Sequence, residues 1–487
     1  MKNTALLSRL FGLCIFLFFT SPPTILAQSP ALQNRLNQLR HELPQVMDSA
    51  GIPGLAISVL EGDFAWNYGF GFKNAETQTL VKSQTVMEAA SLSKPVFAYL
   101  VLKLVDKGRI DLDKPLVSYV PKETLERRFF KGSIQHVHVN LITARMVLTH
   151  STGFPNWRQA GEAIDLQFMP GSSYQYSGEG FILLQVVVEH IMHRPLNKLA
   201  RTYVFDPLGM ENSSFRWEPS FETEMAHGHD ASGEVFAFRK PDRERAAYSL
   251  FTTAEDYGKF LRALLSHDGL SEGVFTDMLK AQISTGYGVS GQFAWGLGIG
   301  LLQLDEDKAI WHWGDNGIYK CFFIGIPARK IGFVYFTNST QGLSIGKKIA
   351  QSILQEELSN FDHLGYDSYN SPELLLAKIM RDDGIVQGVR YYEDLKVKYN
   401  PQKPPLDEQA LTRMGYQLLA GNKLEEAVEL FKINVDLHPD SWNAFDSLGE
   451  AYMRQGNDRL AIVNYERSLR LNPQNANGLK MLKLLRE

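Results

Sequence analysis

The spacing of apolar residues changes several times along the chain, and each change marks an expected element. From residue 28 to about 50, Leu32, Leu36, Leu39, Leu43 and Val46 recur three or four apart, which predicts one amphipathic helix closed by Gly51-Ile52-Pro53-Gly54. Leu55 to Leu60 and Phe64 to Phe72 are β-rich runs joined at Glu61-Gly62-Asp63, a hairpin that opens an antiparallel sheet. The continuous apolar run Val96 to Leu104 predicts a buried helix that starts at or near Ser91 and ends about Lys107-Gly108. From Asp111 to about Leu270 the pattern is mostly helical with long polar interruptions. It includes Leu141 to Leu148, a turn at His150 to Pro155 and a helix from about Glu179 to Met192. Strand patterns return at Trp295 to Leu302, Ala309 to Trp313, Lys320 to Ile326 and Ile331 to Asn338, before a helix from about Ser344 to Leu358. Strands at both ends with helices between them imply an α+β fold: an antiparallel sheet flanked by helices, with a helical insertion. A cleft is expected where the insertion meets the sheet.

After about residue 371 the strand pattern stops. Gly415 and Gly449, Ala427 and Ala461, Phe431 and Tyr465, and Pro439 and Pro473 are each 34 residues apart. With Leu448-Gly449, Tyr452, Gly456 and Ala461 in their places, this stretch resembles the tetratricopeptide repeat, an all-α helical-repeat unit. A degenerate helical pair at about 372 to 397 and a final helix from Ala476 would flank the repeats, because two repeats bury too little alone. The stretch Tyr399 to Pro405 breaks the helical pattern. The expected division is therefore a leader at 1–27, a sheet-containing domain at 28–360, a helical linker at 361–405 and repeats at 406–487.

The leader is read from Lys2 and Arg9, the apolar stretch Leu10 to Phe19, and Ile25-Leu26-Ala27 before Gln28, the three-part pattern of a cleavable secretory signal. It implies a periplasmic or secreted protein with no stable membrane span after cleavage. Cys14 would leave with it, so Cys321 is the one mature cysteine and no internal disulfide is expected. A net charge of −4, or −6 once Lys2 and Arg9 are removed, gives no electrostatic case for nucleic acid. Hydrophobic residues make up 44% of the chain, enough for sizeable cores in more than one domain.

The chemistry starts at Ser91. Lys94 follows three residues later at a helix start, so both side chains share one face, one turn apart. A hydroxyl is a weak nucleophile until a base takes its proton, and a buried lysine loses basicity through desolvation; Ser91 would attack and Lys94 would deprotonate it. Amides at the helix start would stabilise an oxyanion. Two further stretches join this pair: Pro170 to Gly178, containing Tyr174-Gln175-Tyr176-Ser177, and His312-Trp313-Gly314-Asp315-Asn316-Gly317 at a strand end. Leu148 to Gly153 lies between them and the Ser91 segment.

In this order and spacing the motifs resemble the serine β-lactamase and penicillin-binding-protein superfamily, nearest its class C-like esterase and peptidase branch, over roughly residues 30 to 360. The resemblance implies Ser91 as nucleophile, Lys94 as its partner and Tyr176 as a proton relay whose pKa nearby cations such as Lys94 would lower. His312 and Gly314 match the third motif, with Gly314 leaving the strand edge open to substrate and the Asp315 amide joining that of Ser91 in the oxyanion hole. Gly178 stands where the family's second motif usually ends in asparagine. Glycine cannot bond the lysine or a substrate amide, which favours a small ester or D-amino-acid derivative over β-lactams; restoring asparagine there is expected to favour amides.

The expectation is a secreted serine hydrolase that needs no cofactor and forms an acyl-enzyme with a small-molecule or peptide substrate, the repeats offering a surface to a protein partner. The alternative is a catalytically silent penicillin-binding-like protein that binds a ligand while the repeats recruit a partner. His150 is expected to hold its turn. His136 and His138, read as sharing a strand face, and His227 and His229 in a polar turn lack an accompanying carboxylate or cysteine cluster, so no metal site is expected.

Overall fold

The computed structural model describes residues 29–130, 137–159, 163–230, 233–287, 292–356, 361, 364, 366, 368–398 and 404–486. The expected leader at 1–27, His136 and Tyr399 to Lys403 lie outside the described residues. The fold is α+β, with one large antiparallel sheet followed by an all-helical region.

The first helix, Pro30–Ala50, begins where the Ser29 side chain accepts a hydrogen bond from the Leu32 amide and ends where Gly51 turns left-handed at φ 65°. Strands Gly54–Glu61 and Phe64–Asn74 form the expected hairpin, pairing Gly54 with Gly71 and Glu61 with Phe64. Ile331–Thr337 pairs with the free side of Gly54–Glu61, so the two ends of the domain meet in the middle of the sheet. Outward from there run Lys320–Ile326, Lys308–Asp315, Gly300–Gln303, Phe293–Trp295 and Ile283–Ser284; Thr79–Leu80 closes the opposite edge.

Successive side chains of a strand point to opposite faces, and the sheet divides its apolar residues accordingly. Leu55, Ile57, Val59, Phe322, Ile324 and Phe333 pack with Leu32, Leu36 and Leu39 of the first helix and with Ile349 and Ile353 of helix Gly346–Leu354. Ala56, Leu60, Cys321, Phe323, Val334 and Phe336 face the inserted helices, including Ser93–Asp106 and Ala254–Leu265. Burial is nearly complete on both sides.

Several expected elements are differently cut. Trp295 to Leu302 is two strands, because Gly296 donates to the Ile299 carbonyl at 2.9 Å and Gly298 takes φ 78° to reverse the chain. Leu141 to Leu148 becomes α-helical only from Ala144, where the Thr143 hydroxyl accepts from the Met146 amide at 3.2 Å and caps the helix. The helix expected from Ser344 opens as a 3₁₀ turn at Gly342–Ile345 and stops at Leu354, where Gln355 is left-handed. His138 lies exposed in a 3₁₀ turn, Val137–Leu141, rather than on a strand. His229, expected in a polar turn, is buried in a short strand, with Nδ1 against the Asn338 carbonyl at 3.1 Å.

The C-terminal region is a run of paired helices: Pro372–Asp382 with Ile385–Lys398, Glu408–Ala420 with Leu424–Leu437, and Trp442–Arg454 with Asp458–Leu471, then Ala476–Arg486. Gly415 sits against the Phe431 ring, and Gly449 against the Tyr465 ring one pair later. The same close approach thus recurs at the sequence period. The Gln341 side chain donates to that of Gln417 at 2.8 Å, linking the helical pairs to the sheet domain.

Candidate active site

The sheet, the Ser91 turn and the inserted helices meet at one place. Ala90 holds φ 46°, an unfavourable backbone for a residue with a Cβ, at the start of the 3₁₀ turn Ala90–Leu92 that precedes helix Ser93–Asp106. The turn is pinned by the Ala89 amide donating to the Leu250 carbonyl at 2.7 Å and the Leu250 amide donating to Ser93 Oγ at 3.0 Å.

Lys94 Nζ lies 2.9 Å from Ser91 Oγ and donates to the Ala247 carbonyl at 2.9 Å. The lysine is fully buried, and desolvation pushes its pKa well below the ordinary 10.5. A neutral amine that gives one N–H to Ala247 still has a lone pair to turn toward the serine.

Tyr176 is brought alongside, its ring 4.7 Å from Lys94 Nζ. Its pKa does not move as expected. Burial raises it well above 10, outweighing the Ser91 hydroxyl that favours the phenolate. Lys94, its own pKa depressed by burial, does not reverse this, and Tyr176 is held as the phenol. The Tyr176 hydroxyl is buried and makes no hydrogen bond of good geometry among the described residues.

His312 is brought to the same pocket, its ring 6.0 Å from that of Tyr176. Nδ1 faces the Trp313 carbonyl at 2.7 Å, which assigns the proton to Nδ1 and leaves Nε2 as an acceptor. Burial, then the nearby Lys94, pushes its pKa down to about 3. His150 holds its turn at φ 54° and does more: Nδ1 accepts from the Ser177 amide at 3.0 Å and the ring packs 4.4 Å from that of Tyr176. Burial pushes its pKa well below 6.5.

The strand end His312 to Asp315 has an open edge among the described residues, because Gly300–Gln303 pairs no farther than Trp311. Asn316 donates to the Tyr319 carbonyl at 3.0 Å, so alternate residues back along the strand bond toward Lys320–Ile326 and the Asp315 amide points the other way, to the open edge. Gly314 is placed differently from expectation. A Cβ there would lie 2.4 Å from Cys321 Sγ, 2.6 Å from the Ala89 carbonyl oxygen and 3.1 Å from the Ala90 Cβ. The missing side chain lets the strand touch the nucleophile turn; it does not clear the substrate edge.

Gly178 begins helix Gly178–Met192, and a Cβ there would meet Trp157 ring carbons at 2.3, 2.6 and 2.7 Å. Trp157, 46% exposed, stands edge-on to Tyr248 with ring centroids 5.5 Å apart. The space beside Gly178 is therefore filled by an aromatic ring. Trp157, Ala247 and Trp295, whose ring lies 5.1 Å from His150 and 5.5 Å from His312, carry no sequence signal that would have marked them. Among the described residues no group of three or more His, Cys, Asp or Glu could hold a metal ion, and no helix is long and apolar enough to cross a membrane.

A fully buried amine against a serine at a strained turn, facing an open strand edge, is the arrangement of an acyl-transferring serine hydrolase fold. The chain belongs to the beta-lactamase family, whose description it matches over residues 39–357. It is 25% identical over 314 residues to esterase EstB of Burkholderia gladioli, spanning 53% of this chain and 77% of the relative. It is 21% identical over 309 residues to protein flp of Staphylococcus aureus strain N315, spanning 59% of this chain and 60% of the relative. Among solved structures, the beta-lactamase/D-alanine carboxypeptidase from Pseudomonas syringae superposes with a TM-score of 0.56 at 18% identity, covering 67% of this chain and 99% of that one, a likeness of fold.

Proposed function

We propose that this protein is a serine hydrolase that cleaves a small ester through an acyl-enzyme. The observation that carries the reading is the buried Lys94 amine 2.9 Å from Ser91 Oγ. Lys94 takes the proton as Ser91 attacks the carbonyl carbon, and the Ser91 and Asp315 amides receive the oxyanion. Tyr176, a neutral phenol beside both groups, hands a proton to the leaving alkoxide and is reprotonated from Lys94. Water then attacks the acyl-enzyme by the reverse proton path.

The preference for esters over amides rests on Gly178 and on Trp157, which fills the adjoining space. The EstB similarity favours an esterase as well. Export to the periplasm or medium rests on the N-terminal pattern, and a protein or peptide partner for the helical pairs rests on the 34-residue period.

The test is labelling with a fluorophosphonate, wild type against Ser91→Ala, followed by p-nitrophenyl butyrate, nitrocefin and a D-alanyl peptide side by side. A Ser91-dependent adduct with the ester turned over fastest is expected. No adduct would favour a silent ligand-binding protein, and fastest turnover of nitrocefin or the peptide would move the substrate class.

A further inference from the structure

Between the sheet domain and the helical pairs, the described residues 361, 364 and 366 pack beside the strand that ends at the cleft. Phe361 is buried edge-on to Trp311, ring centroids 4.6 Å apart, and Leu364 and Tyr366 line a small apolar cavity with Phe322, Leu343 and Gly346. The Tyr369 amide then donates to the Ser344 carbonyl at 3.0 Å. Between these anchors the Tyr366 hydroxyl donates to Asp315 Oδ2 at 2.8 Å. The other carboxylate oxygen, Oδ1, accepts from the Gly317 amide at 2.8 Å and pairs with the Lys320 ammonium. Lys320 Nζ also lies 5.6 Å from the Tyr366 ring.

We infer that Tyr366 is a positioning residue for the oxyanion site, tethering the Asp315 carboxylate so that the Asp315 amide keeps its aim at the open strand edge. The inference rests on the hydrolase reading. Asp315 is the last residue of its strand, where the ladder no longer restrains the peptide plane on the cleft side. A carboxylate fixed at both oxygens restrains that residue from its side chain instead. The oxyanion donor thus depends on a residue outside the matched family region, which ends at residue 357.

The test uses the full chain carrying Tyr366→Phe, which removes the hydroxyl and keeps the ring. With p-nitrophenyl butyrate, kcat should fall about tenfold with KM unchanged, a fraction of the 10²–10³ lost when an oxyanion donor is removed outright. Affinity for phenylboronic acid, which forms a tetrahedral adduct, should weaken by the same factor. Both KM and boronate affinity are read from folded protein, so a loss of stability alone leaves their ratio unchanged. In an Asp315→Ala background the Phe substitution should have no further effect. An unchanged kcat, a change in KM alone, or effects that multiply with Asp315→Ala would each overturn the inference while leaving the hydrolase reading intact. A wild-type protein that turns over no ester and takes no fluorophosphonate would overturn both.

Discussion

Placing asparagine at position 178 restores the residue the family usually carries, and the structure changes the result to expect. An added amide that bonds a substrate carbonyl contributes about 0.5–1.5 kcal/mol net, equivalent to roughly two- to tenfold in kcat/KM. The Cβ of that residue, however, would lie 2.3 Å from the Trp157 ring, against an ordinary carbon contact of about 3.5–4.0 Å. The ring must retreat by more than an ångström, giving up its edge-on contact with Tyr248 at 5.5 Å. Such aromatic pairs contribute about 0.5–1.5 kcal/mol, a cost that falls on folding, while the ring that stays beside position 178 occupies the space the added amide needs to reach a substrate carbonyl. Gly178→Asn alone should leave the amide-to-ester ratio of kcat/KM within about twofold of wild type. Gly178→Asn combined with Trp157→Ala should raise that ratio roughly three- to tenfold over Trp157→Ala alone. The assay compares p-nitrophenyl butyrate with p-nitrobutyranilide on all four proteins. If the single substitution raises the ratio as much as the pair does, Trp157 does not block the position and the steric reasoning is wrong.

Ser91→Ala should abolish fluorophosphonate labelling while the melting temperature moves by no more than about 2 °C, since the exposed side of this hydroxyl contributes little to packing; residual labelling would place the nucleophile elsewhere. Lys94→Met should also abolish turnover. Because burial lowers the pKa of this lysine in the folded state while the unfolded chain protonates it below about 10.5, wild-type stability is lost as pH falls from 10.5 toward the folded pKa. The melting temperature of Lys94→Met relative to wild type should therefore rise between about pH 10 and about pH 7, and a constant difference would argue for a charged Lys94. For the same reason ester kcat/KM should climb with pH to a plateau reached well below the ordinary lysine range; a limb centred near 10.5 would refute a neutral base. Gly314→Ala forces a methyl to 2.6 Å from the Ala89 carbonyl, an overpacking that costs about 1–3 kcal/mol and shifts the Ser91 turn, so melting temperature and turnover should fall together. Normal turnover would show that strand and turn are not in contact.

Sequence periodicity alone determined the elements that bury one face or both: the helix Pro30–Ala50, the hairpin after it, the strands from Lys308 to Thr337 and the helical pairs after residue 371. It also marked Ser91 and Lys94 as neighbours, because one helical turn fixes that spacing whatever surrounds it. Local pattern failed where a single polar contact or turn cut an apolar run, as at Thr143 and Gly298. Tertiary structure decided the chemical state of the site. Lys94 has its pKa depressed because distant segments strip it of water, with Ala247, 153 residues away, as its acceptor. Tyr176 is a phenol for the same reason, and the space beside Gly178 is closed by Trp157 from another loop. Protonation depends on desolvation by whatever packs alongside, and steric access on which ring arrives there; both are set by contacts between residues remote in the chain.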